Sequence, residues 1–349
     1  MAKGINPKLK KKKRKLRSID EYLSGIANGD RYVLSEVMTL VESTNTVQRN
    51  LGEQILNNLD LSNANHTIRI GITGSPGAGK STFIESIGKH LIAMGKKIAV
   101  LAIDPSSTKS QGSILGDKTR MQILSVDENA IIRPTASANV LGGVARSTKE
   151  SIALCEAAGY DYIFVESVGV GQSETDLARL VDVYLLLLLP GSGDEVQGIK
   201  RGVVELADII VINKFDGDRK SIAEQSKSDF RISANLFNHS LERWEVPVLL
   251  SSSTTQYGIV DVWQSIEKYV ALSKEQNHFY TNRTKQEKEW MRLQLEADIV
   301  TKAKKIFDLD ARIKKMSNLH DFKTKSVFEA LQEVKKSIDQ EYQKLNDKK

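Results

Sequence analysis

The sequence predicts an α/β fold: a mainly parallel central sheet covered by helices. Three observations predict it. Seven short apolar runs between residues 68 and 251 are mostly separated by helix-length segments, the pattern of strands alternating with helices. One run, "VYLLLLL", is apolar on both of its alternating faces, so it belongs in the middle of a sheet covered on both sides. The first run, "TIRI" leading into "GIT", passes directly into a glycine-rich turn and then a helix-like stretch.

In chain order, residues 1–17 carry nine Lys/Arg and no acid. Like charges repel and nothing apolar anchors them, so this segment reads as a solvated, disordered basic tail. The remaining chain holds 41 basic against 44 acidic residues, so the net charge of +6 belongs to the tail and not to a basic binding face. Nucleic acid is accordingly not an expected partner. The tail lacks the apolar core of a secretory signal, and no apolar run is long enough to span a bilayer; a cytoplasmic protein is expected. Residues 18–64 read as an N-terminal helical segment. Ser18 and Glu21 form a capping box for a first helix, Asp30 caps a second over "RYVLSEVMTLVES", and "TVQRNLGEQILNNL" forms a third. Residues 65–272 form the α/β domain, with strands at 68–73, 97–103, 130–133, 161–166, 182–189, 207–212 and 247–251. Residues 273–349 are charged, helix-prone and poor in apolar positions; Trp290, Leu293, Leu295, Ile299, Ile306 and Ile313 are too few for an independent core. Such a helical arm needs a partner surface, and we read it as a homodimerisation arm.

Charged residues make 27% and hydrophobic residues 40%, which places the chain among globular proteins rather than disordered ones. The single cysteine, Cys155, excludes an internal disulfide, a CxxC redox site and a cysteine-rich zinc site. The five histidines are scattered and form no readable metal cluster.

The glycine-rich turn carries the chemistry. Gly74-x-x-x-x-Gly79-Lys80-Ser81 is the complete P-loop pattern, lying between a strand and a helix. Gly74, Gly77 and Gly79 allow backbone conformations in which successive N–H groups of Gly74, Ser75, Pro76, Gly77, Ala78, Gly79, Lys80, Ser81 and Thr82 (Pro76 lacking one) surround phosphate oxygens. Lys80 is placed to reach the β- and γ-phosphates and Ser81 to ligate Mg²⁺. A later strand runs into Asn213-Lys214-x-Asp216, the guanine-reading pattern. The Asp216 carboxylate can accept from N1–H and N2–H₂ of guanine together, a donor pair that adenine lacks. The Lys214 stem covers one face of the base. Backbone N–H groups near Ser252 and Ser253, in the loop after the last strand, are placed to meet guanine O6. GTP and GDP are therefore the expected ligands. Asp104 and Glu166 end central strands, and Asp117 lies in "GSILGDKTRM"; these carboxylates are the candidate Mg²⁺ and catalytic acids beside Ser81.

Together "GSPGAGKSTF", "LAIDPSSTKSQGSILGDKTRM", "VESVGVGQSE", "GDEVQGIKRG" and "NKFDGD" resemble the MeaB/MMAA-type GTPases. These P-loop proteins, of the SIMIBI class, are the G-protein chaperones of methylmalonyl-CoA mutase and were formerly grouped as ArgK-type arginine/ornithine transport kinases. The resemblance spans roughly residues 30–345. It implies a homodimeric GTPase that gates adenosylcobalamin loading into the mutase and protects that enzyme, without binding cobalamin itself. It maps the family's switch acids onto Asp104, Asp117 and Glu166. Its partner-responsive segment maps onto "GSGDEVQGIKRG", with Asp194, Glu195 and Lys200. Two features depart from the family pattern: the Lys-rich extension, and Ser252-Ser253 where the family has Ser-Ala, expected to matter little because the contact is through backbone.

The expected reaction is attack of water on the γ-phosphate, catalysed by positioning and charge neutralisation. Gln172 in "GVGQSE" is the candidate to position the water, and no arginine finger is assignable. Three rival readings are a P-loop kinase of an arginine/ornithine transport system, a nickel metallochaperone GTPase, and a nucleic-acid-binding GTPase working through its basic tail, which loss of DNA or RNA retention on deleting residues 1–17 would reveal. Asn213-Lys214-x-Asp216 argues against the first. The absence of a His-rich tail and of Cys/His ligands argues against the second.

Overall fold

A computed structural model of the chain describes residues 16–104, 121–136, 143–167, 173–191, 201–237, 239–318 and 326–347. Asp117, Gln172, Asp194, Glu195, Lys200 and the first fifteen residues of the basic tail lie outside the described residues.

Three N-terminal helices open the chain: α1 (Ile19–Ala27), α2 (Arg31–Val41) and α3 (Thr46–Asn57). Local chemistry starts each. Ser18 and Glu21 form the reciprocal capping box on α1. The Asp30 side chain accepts from the Tyr32 and Val33 backbone N–H groups of α2, and Asn45 does the same for Val47 and Gln48 of α3.

Seven strands follow: β1 (Ile68–Thr73), β2 (Ile98–Asp104), β3 (Ala130–Ala136), β4 (Tyr162–Ser167), β5 (Val183–Leu188), β6 (Ile209–Ile212) and β7 (Val248–Leu250). They form one sheet in the order β3-β2-β4-β1-β5-β6-β7, with every pairing parallel. Each strand lies where the sequence places one. β3 runs three residues past its expected end, through Pro134; as the outermost strand, paired only with β2, it tolerates a proline.

Alternation along the strands builds two cores. From β5, Tyr184, Leu186 and Leu188 enter one apolar cluster, while Val183, Leu185 and Leu187 enter the other. The first cluster includes Tyr22, Leu34, Val37, Met38 and Ile55 from the N-terminal helices and Ile152 and Leu154 from α5 (Gly143–Ala157). The second includes Phe83, Ile84, Ile87 and Leu91 of α4 (Lys80–Ala93) and Val262, Trp263 and Ile266 of a helix over Ile259–Glu275. The N-terminal helices thus share the core of the sheet, and ion pairs of Arg49 with Glu150 and of Arg146 with Glu53 (2.8 Å) join α3 to α5.

Two compact units divide the chain, Met1–Gln286 and Glu287–Lys349. The long helix over His278–Ile306 begins inside the first: Phe279, Arg283 and Gln286 are buried there. Arg283 makes a two-nitrogen contact with the Asp182 carboxylate, at 2.7 and 2.6 Å, and its guanidinium lies 4.3 Å from the Phe279 ring centre. In the second unit, a helix over Leu309–Asn318 is joined to one over Val327–Asn346 through Arg312, which donates to the Ser337 hydroxyl at 2.6 Å and pairs with Glu341.

Candidate functional site

The carboxyl ends of parallel strands collect the loops that follow them, and this edge is where open α/β sheets place ligands. Here the edge receives the glycine-rich turn after β1, Asp104 at the end of β2, Glu166 near the end of β4, Asn213 to Asp216 after β6, and Ser251 to Ser253 after β7.

The turn after β1 is shaped by what surrounds it. Gly74 has φ 149°, and a Cβ built there would lie 1.9 Å from the Leu187 carbonyl oxygen of β5, so only glycine fits. Gly79 precedes α4 with φ 88°. A Cβ there would lie 2.9 Å from the Asn213 side-chain nitrogen, so the residue must be small for Asn213 to approach the loop. Lys80, only 8% exposed, donates from its ammonium to the carbonyls of Gly74 (2.8 Å) and Ser75 (3.2 Å), so the loop curls around its own cation.

Ser81, in the first turn of α4, donates its hydroxyl to the Glu166 carboxylate at 3.0 Å. Register explains the meeting: Glu166 of β4 lies opposite Ile72 of β1, two residues before the turn. Next to it, Ser167 donates to the Thr73 hydroxyl at 2.9 Å. Ser81 and Glu166 offer two hard oxygen donors side by side, and β2 brings Asp104 to the same edge. Among the described residues no group of three or more His, Cys, Asp or Glu side chains gathers as a metal cluster. A hydroxyl with one or two carboxylates suits Mg²⁺, which keeps waters and takes its other ligands from substrate phosphates.

Asn213 joins the two halves of the edge. It is buried, and its side-chain nitrogen donates to the Ala78 carbonyl of the glycine-rich turn at 2.8 Å. Its side-chain oxygen accepts from the hydroxyls of Ser251 (3.2 Å) and Ser253 (3.3 Å). Lys214 has φ 61°, the left-handed conformation. The Asp216 carboxylate accepts from the Ser252 hydroxyl at 2.6 Å, and that hydroxyl accepts in turn from the Thr255 N–H at 3.2 Å. All three serines are buried. Their hydroxyls therefore take part in the site, where the sequence suggested a role for backbone alone. Ser251 also belongs to this network, and only the serine triplet itself marks it in the sequence.

The chain's matches to known proteins show its family and its fold. The family model for "Methylmalonyl Co-A mutase-associated GTPase MeaB" matches residues 34–307. This chain belongs to the MeaB GTPase family. A "Putative GTPase" of Caulobacter vibrioides is 46% identical over 78% of the chain and 83% of its own length. "Methylmalonic aciduria type A homolog, mitochondrial" of Mus musculus is 44% identical over 79% of the chain and 68% of its own length. "GTPase ArgK" of Escherichia coli is 41% identical over 81% of the chain and 85% of its own length. Among solved structures, that of an "LAO/AO transport system kinase" superposes with a TM-score of 0.73 at 33% identity, covering 93% of this chain and all of its own. The MeaB-family chain is thus a P-loop GTPase with a parallel seven-stranded sheet. No helix among the described residues is long and apolar enough to cross a membrane.

Proposed function

We propose that this MeaB-family GTPase binds GTP at the carboxyl edge of its sheet and acts as the GTP-hydrolysing chaperone of an adenosylcobalamin-dependent acyl-CoA mutase, methylmalonyl-CoA mutase. One observation carries the nucleotide reading: Asn213 bonds at once to the glycine-rich turn and to the serine loop, so a phosphate cradle and a guanine reader are held at a fixed separation. The partner rests on the family description and on the name of the murine relative.

The residues take these roles. Backbone N–H groups from Gly74 to Thr82 surround the phosphates, and the Lys80 ammonium faces the β- and γ-oxygens. Ser81, Asp104, Asp117 and Glu166 would hold Mg²⁺ directly or through water, and the ion would supply neutralisation of phosphate charge. Asp216 accepts from guanine N1–H and N2–H₂, the Lys214 stem covers the base, and the Ser253 N–H faces O6; the Ser252 N–H, the other donor expected there, is given to the Tyr257 carbonyl at 2.9 Å. Gln172 orients the attacking water. Asp194, Glu195 and Lys200 transmit the nucleotide state to the mutase. The working parts are the basic tail 1–17, the helical segment 18–64, the GTPase domain 65–272 and the arm 273–349. The arm, where Leu295, Ile299, Ile306 and Ile313 are exposed, joins two copies of the chain. The protein acts in the cytoplasm and gates cobalamin loading without holding cobalamin itself.

The test is a pull-down from native cell extract with the tagged chain loaded with GTP or GDP. An acyl-CoA mutase retained in a nucleotide-dependent manner is the expected result; no mutase in either state would overturn the reading. The second reading, a kinase of a transport system, draws on the likeness to the transport-system kinase structure. Label transferred from γ-labelled GTP to a protein or small-molecule acceptor in the same extract would favour it.

A further inference from the structure

The serine loop is fastened to the phosphate-binding helix at one point outside any recognised motif. The carbonyl oxygen of Ser253 accepts from the Gln256 side-chain amide at 2.6 Å and from the Ser86 hydroxyl at 3.1 Å. Gln256 also donates to the Ser86 hydroxyl at 3.1 Å. Ser86 lies on α4, two turns into the helix that begins with Lys80 and Ser81, and its single hydroxyl proton is shared between the Ser253 carbonyl and the Thr82 carbonyl, 3.0 Å away. Gln256 is held in the left-handed region, φ 63°, inside the loop closed by the Ser252–Tyr257 bridge; just past the bridge Gly258, with φ 69°, lies so close to the Leu250 carbonyl that a Cβ there would be 2.1 Å from its oxygen. A non-glycine residue in that region is uncommon and persists where the surroundings hold it. Ser86 and Ser253 are buried, so the bond between them is shielded from competing water, whereas Gln256 is exposed and its two bonds are partly buried.

We infer that Ser86 and Gln256 are positioning residues that set how long guanine nucleotide stays bound. They fix the Ser253 carbonyl, and with it the Ser253–Thr254 peptide, relative to the phosphate-binding helix; with the Ser253 side chain also held, this orients residue 253 and aims its N–H, which belongs to the preceding peptide, at guanine O6. The inference rests on the proposed guanine reading. The Ser253 hydroxyl bond to Asn213 pins the side chain of the same residue, so side chain and carbonyl are both held and the N–H keeps one direction. Neither Ser86 nor Gln256 is placed against a phosphate, so they act on the base end of the nucleotide through the loop.

A buried neutral hydrogen bond contributes about 1 kcal/mol net, close to a fivefold change in an equilibrium constant. Ser86→Ala, which removes the buried bond, is expected to speed GDP release by roughly 3- to 10-fold, and Gln256→Ala, which removes two partly buried bonds from an exposed side chain, by roughly 2- to 5-fold. The double variant should fall short of the product of the singles, because the two side chains share one acceptor. The full chain is loaded with fluorescent GDP and chased with unlabelled GDP. A parallel chase uses the diphosphate of 2-aminopurine riboside, which keeps the exocyclic amine of guanine but lacks O6 and, with it, the N1–H donor. Release of GDP should accelerate in both variants while release of the analogue stays within twofold of wild type. Hydrolysis of pre-bound GTP in a single turnover should also stay within twofold. Equal acceleration for GDP and the analogue would reduce the cluster to general loop stability, and unchanged GDP release would remove it altogether. If wild type itself held GDP and the analogue equally, the guanine reading would fail and the inference with it. Gln256→Gly, which keeps the left-handed backbone without strain, guards against misfolding and should behave as Gln256→Ala.

Discussion

Asn213→Asp is the substitution that separates the joining role of this residue from its shape. The variant keeps the size of the side chain and keeps an oxygen to accept from Ser251 and Ser253. It replaces the nitrogen that donates to the Ala78 carbonyl at 2.8 Å with a second oxygen facing that carbonyl. The position is only 2% exposed, so water cannot take over the lost bond. An unsatisfied buried partner costs about 1–3 kcal/mol, and the facing oxygens add repulsion while the carboxyl is ionised. At about 1.4 kcal/mol per decade, GTP affinity should fall by roughly 10- to 150-fold at pH 8. Burial and the facing carbonyl both disfavour the charged form, which raises the pKa of the introduced carboxyl. The protonated form can donate to Ala78 again, so the deficit relative to wild type should shrink as pH falls through that raised pKa. Equilibrium titration with fluorescent GTP at pH 8 and pH 6, beside thermal unfolding of both proteins, measures this. Affinity within twofold of wild type at pH 8, in a folded variant, would refute the joining role. A deficit equal at both pH values would rule out the lost donor as its cause.

Three further outcomes are expected. Lys80→Ala should abolish tight GTP binding or hydrolysis, because it removes the cation the loop curls around; wild-type turnover in the purified variant would contradict the assignment. Asp216→Asn should weaken GTP and favour xanthosine triphosphate, whose 2-oxo group accepts from the introduced amide, and competition binding with the two nucleotides reads the change. Burial pushes the Cys155 thiol far above its usual range, so the native protein should resist thiol-specific reagents at pH 8 and yield one reactive thiol only on unfolding.

The fold was legible because its signals are local and repeated. Apolar runs such as "VYLLLLL" have no stable place outside a doubly covered sheet, and Ser18, Asp30 and Glu21 mark helix starts by bonds made within three residues. The phosphate turn was legible for the same reason, since Gly74, Lys80 and Ser81 lie within one short stretch. What escaped was the network of contacts between distant segments. The bonds from Ser253 to Asn213 and from Ser86 to Ser253 cross 40 and 167 residues, and serine hydroxyls carry no spacing that betrays a partner. Strand order was equally hidden: β1 and β5 pair side by side although three strands separate them in the chain. Burial of Arg283 against Asp182, across 101 residues, likewise could not be read from a charged helix whose sequence points to an arm in need of a partner surface.

If an acyl-CoA mutase senses the nucleotide held by this chain, the chain's turnover must in turn respond to the mutase. The steady-state rate of GTP hydrolysis is therefore followed as purified methylmalonyl-CoA mutase is titrated in, for the wild-type chain and for Lys200→Ala. The expected result is a saturable acceleration by the mutase, sharply reduced in Lys200→Ala while its basal rate stays within a few-fold of wild type. A hydrolysis rate indifferent to the mutase at every concentration, with no complex in the presence of GTP or GDP, would show that this mutase is not the partner.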